Sequence, residues 1–296
     1  VSPNFVKRDP VAHEYQAAGA RIAYVEWGAP ADPVILLIHA TGFHARCWDE
    51  VVRALPPGYR VIAVDTRGHG RSQKTGPITS WADPARDLAE LIEHLGLTDA
   101  IGAGHSMGGH CLVQIAATHP RAFKRLVLID PVIMAPELYR GPSMWPPGTE
   151  HPVARRRNTW ASWDEMFDAF KDRNPYSLWR PQVLEDYCRY GLMPAPGGGF
   201  ELACPPAIEA SVYMASLGTD IYDAVRAIEV PVTILRAKER PPGPRERMDF
   251  SDSPTWPQLA AQFKHGRDVY LPHLTHFIPM QEPELAARYI AQEMPA

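Results

Sequence analysis

The chain has 296 residues, 45% of them apolar and 22% charged, with a formal net charge of −4. That composition excludes a disordered chain and leaves no basic footprint for nucleic acid. No apolar run is long enough to span a bilayer, and the length suits one large domain or a core with an insertion.

In chain order, the opening stretch VSPNFVKRDP carries no apolar signal core, so a cytoplasmic protein is expected. Around Gly19, EYQAAGARIAYVEW alternates as an early hairpin would, with a strand over 21–28. PVILLIH (33–39), RVIAVD (60–65), DAIGAGH (99–105), RLVLID (125–130), PVTILRA (231–237) and DVYLP (268–272) are nearly continuous apolar runs. Such runs suit parallel strands covered on both faces. Between them, 81–96 reads as an amphipathic helix opening near Ser80, with Leu88, Leu91, Ile92 and Leu95 on one stripe and Gly96 as its stop. A second helix over 107–120 is apolar nearly all round. Alternating strands and helices predict a doubly wound, mostly parallel eight-stranded α/β sheet.

The rhythm breaks over 132–225, a stretch dense in Pro, Trp, Tyr and Met that includes Trp145, Trp160, Trp179, Tyr187 and Tyr213. We read it as an inserted, mainly helical cap between two core segments, 1–131 and 226–296. Its aromatics either fill the cap's own core or line a cleft against the main domain; both roles can hold together. The run Arg155-Arg156-Arg157 reads as a solvated surface segment.

Cys47, Cys111, Cys188 and Cys204 are widely spaced, which fits reduced thiols better than a disulfide framework. No Cys or acidic partner lies at ligand spacing from His273 and His276, so no metal is expected.

The stretch GAGHSMGG (102–109) sits between a predicted strand and a predicted helix. A sharp strand–turn–helix leaves Ser106 on a strained turn, its Oγ projecting from the carboxyl edge of the sheet at a helix N-terminus, where amides favour developing negative charge. Gly104 and Gly108 allow strand and helix to approach closely. Ser106 then needs a base, and His276, in a loop after the last strand, has more freedom to reach it than His273. His39, His69 and His105 read as structural. The amide of Met107, with that of Thr41 in HATGF (39–43), would supply oxyanion donors.

With HATGF, DTRGHGRS (65–72), GHSMGG (104–109) and THFIPMQEPE (275–284) in this order, the sequence resembles the α/β-hydrolase superfamily, in its capped esterase, lactonase and C–C hydrolase branch. The resemblance covers most of the chain outside 132–225. It implies Ser106 as nucleophile, His276 as base, the Met107 and Thr41 amides as oxyanion hole, and 65–72 as a structural turn. Ala40 stands where the family usually has glycine. The family's acid usually follows the strand at 231–237, but there the sequence reads RAKERPPGPRERMDF, with Arg240 at the acid's place. Asp130, after the preceding strand, is preferred for the role over Asp249 and Glu239, with Asp252 a candidate turn cap.

The expected activity is two-step acyl transfer on a small, mainly apolar ester or lactone, without metal or organic cofactor. Two alternatives stand: hydrolysis of a C–C bond in a diketo acid, which would want a cap arginine in the pocket, and a ligand-binding protein that has lost turnover. Neither nucleic acid nor membrane is an expected partner; a homodimer is compatible with the sequence.

Overall fold

The computed structural model describes residues 9–141, 145, 148–241 and 251–292. Eleven strands occur among them: β1 (Val11–Gln16), β2 (Arg21–Trp27), β3 (Val34–Ile38), β4 (Arg60–Val64), β5 (Ala100–His105), β6 (Phe123–Ile129), β7 (Thr159–Trp160), β8 (Leu192–Pro194), β9 (Phe200–Leu202), β10 (Val232–Ala237) and β11 (Gly266–Leu271). Eight form one sheet in the order β1-β2-β4-β3-β5-β6-β10-β11. Pairing is antiparallel where β2 meets β1 and β4, and parallel from β4 onward. The expected mostly parallel eight-stranded sheet is therefore present, hairpin included.

Burial explains the strand composition. Every residue of β5 is buried, as are four of the five in β3, because helices cover both faces there; the one polar side chain, His105 at the end of β5, is bonded to His276 O. Side chains of alternating direction feed two separate cores. Leu36, Ile38, Ile62, Val64 and Leu128 join one; Ile35, Leu37, Val61, Ala63 and Ile129 join the other. Each large aliphatic side chain so buried contributes about 1.5–3 kcal/mol. The helix Ala82–His94 buries Leu88, Leu91 and Ile92 on one stripe, and Gly96 ends it at φ +61°. Ser80 Oγ accepts the Ala82 N–H at 3.2 Å, tying down a free donor of the first turn.

Between β6 and β10 the chain leaves the sheet. The helices Trp163–Phe170 and Pro181–Tyr190 pack on each other, and the first is capped by Ser162, whose Oγ accepts Glu165 N–H at 3.1 Å. A small antiparallel sheet, β7-β9-β8, accompanies them. Its strands are two or three residues long, too short to announce themselves by alternation. Residues 195–199, APGGG, form the β8–β9 hairpin turn, with Gly198 and Gly199 at positive φ. The later helix Tyr222–Ala227 packs on Met107–Thr118 and joins the main core, as a crossover helix does.

Two aromatic populations separate here. Trp160, Met166, Trp179 and Tyr187 form an apolar cluster with Phe43 and Phe277 of the main domain. Trp145 and Tyr213 instead line a cavity over the carboxyl edge of the sheet. The segment between β6 and β10 thus shares an apolar cluster with the loops of the main sheet and lines part of a cleft.

Arg156 departs from the expected solvated run. It is largely buried, with Nη1 donating to Glu209 Oε2 at 2.7 Å and Nη2 to the Tyr187 hydroxyl at 3.1 Å. Its neighbours do face solvent, Arg155 with Glu150 and Arg157 with Glu165. An arginine inside the segment is tolerable because a buried carboxylate and a hydroxyl satisfy it.

Candidate active site

Strand β5 runs straight into the helix Met107–Thr118, with Ser106 as the turn at φ +57°, ψ −119°. The flanking glycines are needed for space: a Cβ on Gly104 would lie 2.5 Å from Gly108 O, and one on Gly108 would lie 2.3 Å from Ile38 O. The turn is fastened to the neighbouring strand end. Ser106 N–H donates to Ile129 O at 3.0 Å, and Val132 N–H donates to Ser106 O at 3.2 Å.

That strand end carries Asp130, also at positive φ, +43°. Its carboxylate is fully buried and every contact it makes is a donor. Oδ1 accepts Ala237 N–H at 2.9 Å and Ser253 Oγ–H at 2.6 Å; Thr255 Oγ1 lies 3.4 Å away, its proton directed chiefly to Pro131 O at 2.7 Å. Oδ2 faces His276 Nδ1 at 2.6 Å. On the other side of the ring, His276 Nε2 lies 3.0 Å from Ser106 Oγ. A carboxylate can only accept, so Nδ1 carries the ring proton and Nε2 presents its lone pair to the serine hydroxyl.

The loop bearing His276 is held at both backbone atoms. His276 N–H donates to Ser251 O at 2.9 Å, and His276 O accepts from His105 Nε2 at 2.8 Å. Burial pushes the His105 pKa well down, so His105 is a neutral donor beneath the site. His39 is likewise pushed down to about 4 by burial; it donates from Nδ1 to Ala40 O at 2.7 Å and accepts Thr66 N–H at 3.0 Å, bracing the HATGF loop. Asp65 accepts Ala45 N–H at 2.6 Å and Arg71 N–H at 2.7 Å, which organises the 65–72 turn below.

Met107 opens its helix, so its amide has no intrahelical acceptor. Thr41 is buried and lines the same cavity as Ser106. Behind it Gly42, at φ +80°, abuts Glu209: a Cβ there would meet Glu209 Oε1 at 2.5 Å.

The competing residues fall elsewhere. His273 is exposed. Glu239 is an exposed partner of Arg236 at 2.7 Å. Asp252 lies 3.5 Å from Lys238 and borders the cavity. Asp249 lies outside the described residues. Ser253, which donates to Asp130, and Thr255 beside it had no mark in the sequence beyond following the Pro-rich extension.

The cavity above Ser106 measures about 480 Å³. Trp81, Val132, Met134, Leu138, Trp256 and Phe277 give it an apolar wall, and Thr41, Ser106 and His276 line it as well. Among the described residues no three His, Cys, Asp or Glu side chains are grouped to hold a metal, and no helix is long and apolar enough to cross a membrane. All four cysteines are buried free thiols.

Residues 35–288 match the profile of the Alpha/beta hydrolase family. The bifunctional esterase/perhydrolase DCH of Acinetobacter calcoaceticus is 27% identical over 283 residues, covering 90% of this chain and 93% of that protein. E-2-(acetamidomethylene)succinate hydrolase superposes with a TM-score of 0.75 at 21% identity, covering 95% of this chain and 97% of the other. The enol-lactonase from Burkholderia xenovorans does so with a TM-score of 0.66 at 20% identity, covering 94% and 98%. At those identities the structural likenesses speak for the fold alone.

Proposed function

The chain belongs to the α/β-hydrolase family, and from that premise we propose that it is a serine hydrolase cleaving a carboxylic ester or lactone of a small, mainly apolar substrate. The observation that carries this reading is the single imidazole bridging Ser106 Oγ at 3.0 Å and Asp130 Oδ2 at 2.6 Å. Ser106 is the nucleophile, His276 the general base and Asp130 the orienting acid.

In the first step His276 Nε2 takes the Ser106 proton as Oγ bonds to the substrate carbonyl carbon. The developing oxyanion receives hydrogen bonds from the Met107 and Thr41 amides. Asp130 stabilises the imidazolium that forms. On collapse, Nε2–H passes its proton to the departing alkoxide and the acyl-enzyme remains. Water then attacks with His276 again as base, releasing acid and free Ser106. The apolar wall supports an apolar acyl or alcohol portion. The C–C cleavage alternative wants an arginine of the 132–225 segment in the pocket; among the described residues none from that segment lines the cavity, and Arg156 is held by Glu209 and Tyr187. Unpaired thiols suit a reducing, cytoplasmic setting.

Initial rates on 4-nitrophenyl esters from acetate to decanoate, wild type beside Ser106→Ala, test this reading. Turnover should disappear in the variant while its circular dichroism stays native. A variant retaining most of the activity removes Ser106 from the mechanism.

A further inference from the structure

The residue at the place where the family's acid usually stands is Arg240. It is exposed, on the segment after β10, and its side chain lines the same cavity as Ser106 and His276. The neighbouring acids are otherwise engaged. Arg236 holds both Glu239, at 2.7 Å, and Asp268, at 2.9 Å, while Asp252, the carboxylate on the cavity wall, faces Lys238 at 3.5 Å. Among the described residues Arg240 has no ion-pair or hydrogen-bond partner. Arg240 is a cation at the open end of a cavity whose wall is largely apolar and whose one carboxylate among the described residues, Asp252, is paired with Lys238. With Ser106 at the buried end, its complement is a ligand with an anion at one end, an apolar middle and a scissile carbonyl at the other.

We propose that Arg240 is a carboxylate-recognition subsite, so that the substrate is an ester or lactone bearing a free carboxylate across an apolar spacer from the cleaved bond. The inference rests on the serine-hydrolase reading for the floor of the cavity, and adds the chemistry of its mouth. Guanidinium binds carboxylate through two parallel hydrogen bonds, and the apolar wall cannot do so. Solvent reaches Arg240, so the pair is screened: the advantage should be about tenfold, and salt should erode it.

Two measurements separate this subsite from the reaction. In the first, kcat/KM is measured for 4-nitrophenyl hemiesters of succinate through suberate, beside the matching diesters whose far carboxyl is methylated. At one spacer length wild type should prefer the anionic substrate about tenfold, chiefly through KM. In Arg240→Gln that ratio should fall to about one, and in Arg240→Lys it should be partly restored. In the second, monomethyl and dimethyl esters of the same diacids are titrated calorimetrically into Ser106→Ala and into Ser106→Ala with Arg240→Gln. The monomethyl ester should bind about tenfold more weakly to the double variant, with no such difference for the dimethyl ester. Equal binding of charged and neutral ligands, or a preference that survives Arg240→Gln, overturns the subsite. Absence of turnover with the binding preference intact would instead count against the hydrolase reading alone.

Discussion

Replacing Asp130 with asparagine is the most discriminating perturbation of the site, because the surroundings of the carboxylate dictate which way the amide must face. Oδ1 accepts Ala237 N–H at 2.9 Å and Ser253 Oγ–H at 2.6 Å. The backbone N–H cannot reverse its role, and Ser253 Oγ already accepts Thr255 N–H at 3.1 Å, which leaves its proton for Asp130. The asparagine oxygen must therefore take the Oδ1 position, and its NH₂ must face His276 Nδ1 across the present 2.6 Å contact. Two N–H groups cannot point at one another, so the imidazole shifts its proton to Nε2. That proton then points at Ser106 Oγ, 3.0 Å away, and the base is lost in the resting enzyme. The analogous exchange in a serine protease triad costs about 10⁴ in kcat with the geometry intact, or about 5.5 kcal/mol. The same loss is expected here for kcat/KM on the best 4-nitrophenyl ester, with KM little changed and partial recovery at high pH. The fold should persist, since the isosteric amide keeps the Ala237 and Ser253 hydrogen bonds. A Asp130→Asn protein within tenfold of wild type would show that another group orients His276.

Glu209→Ala should destabilise the protein by about 3–5 kcal/mol, because it leaves the buried Arg156 guanidinium without its carboxylate. Urea midpoints should show most of that loss regained in Glu209→Leu with Arg156→Met, and a single-variant loss below about 1 kcal/mol would mean that the pair is solvated. Acid should destabilise the fold. Burial holds His39, His44 and His110 at about 4 and His69 at about 3. Below their unfolded value, about 6.5, the unfolded chain binds protons that the native state refuses. Stability therefore falls as pH drops, by up to about 2 kcal/mol per histidine from 6.5 to 5. Asp186, pushed up to about 7 by burial beside Asp49, works the opposite way in that window, but it is one group against four. A thermal midpoint that is level from pH 7 to 5 would contradict the four neutral histidines.

Local chemistry carried much of this in the sequence. The apolar runs marked the buried strands because a strand covered on both faces has no polar side to reveal. GHSMGG declared a tight strand-to-helix turn because only glycine fits at 104 and 108, where a Cβ would strike backbone. His276 was legible by its loop after the last strand.

Asp130 was less so: a carboxylate at a strand end is commonly a turn residue, and nothing local distinguishes the two roles. What decides its position is that β6 and β10 are adjacent parallel strands, so a side chain leaving the end of one reaches the ground normally served from the other. The aromatics of 132–225 were likewise ambiguous, since Trp and Tyr fill a core or line a cleft with the same composition, and only packing divided Trp160 from Trp145. Arg156 looked like its two solvated neighbours until Glu209, 53 residues away, was brought against it. Periodicity and turn chemistry act between near neighbours and are written in the chain. Which carboxylate meets the histidine, which arginine is buried and which side chains face the cavity depend on contacts between distant segments, and only the folded protein makes those contacts.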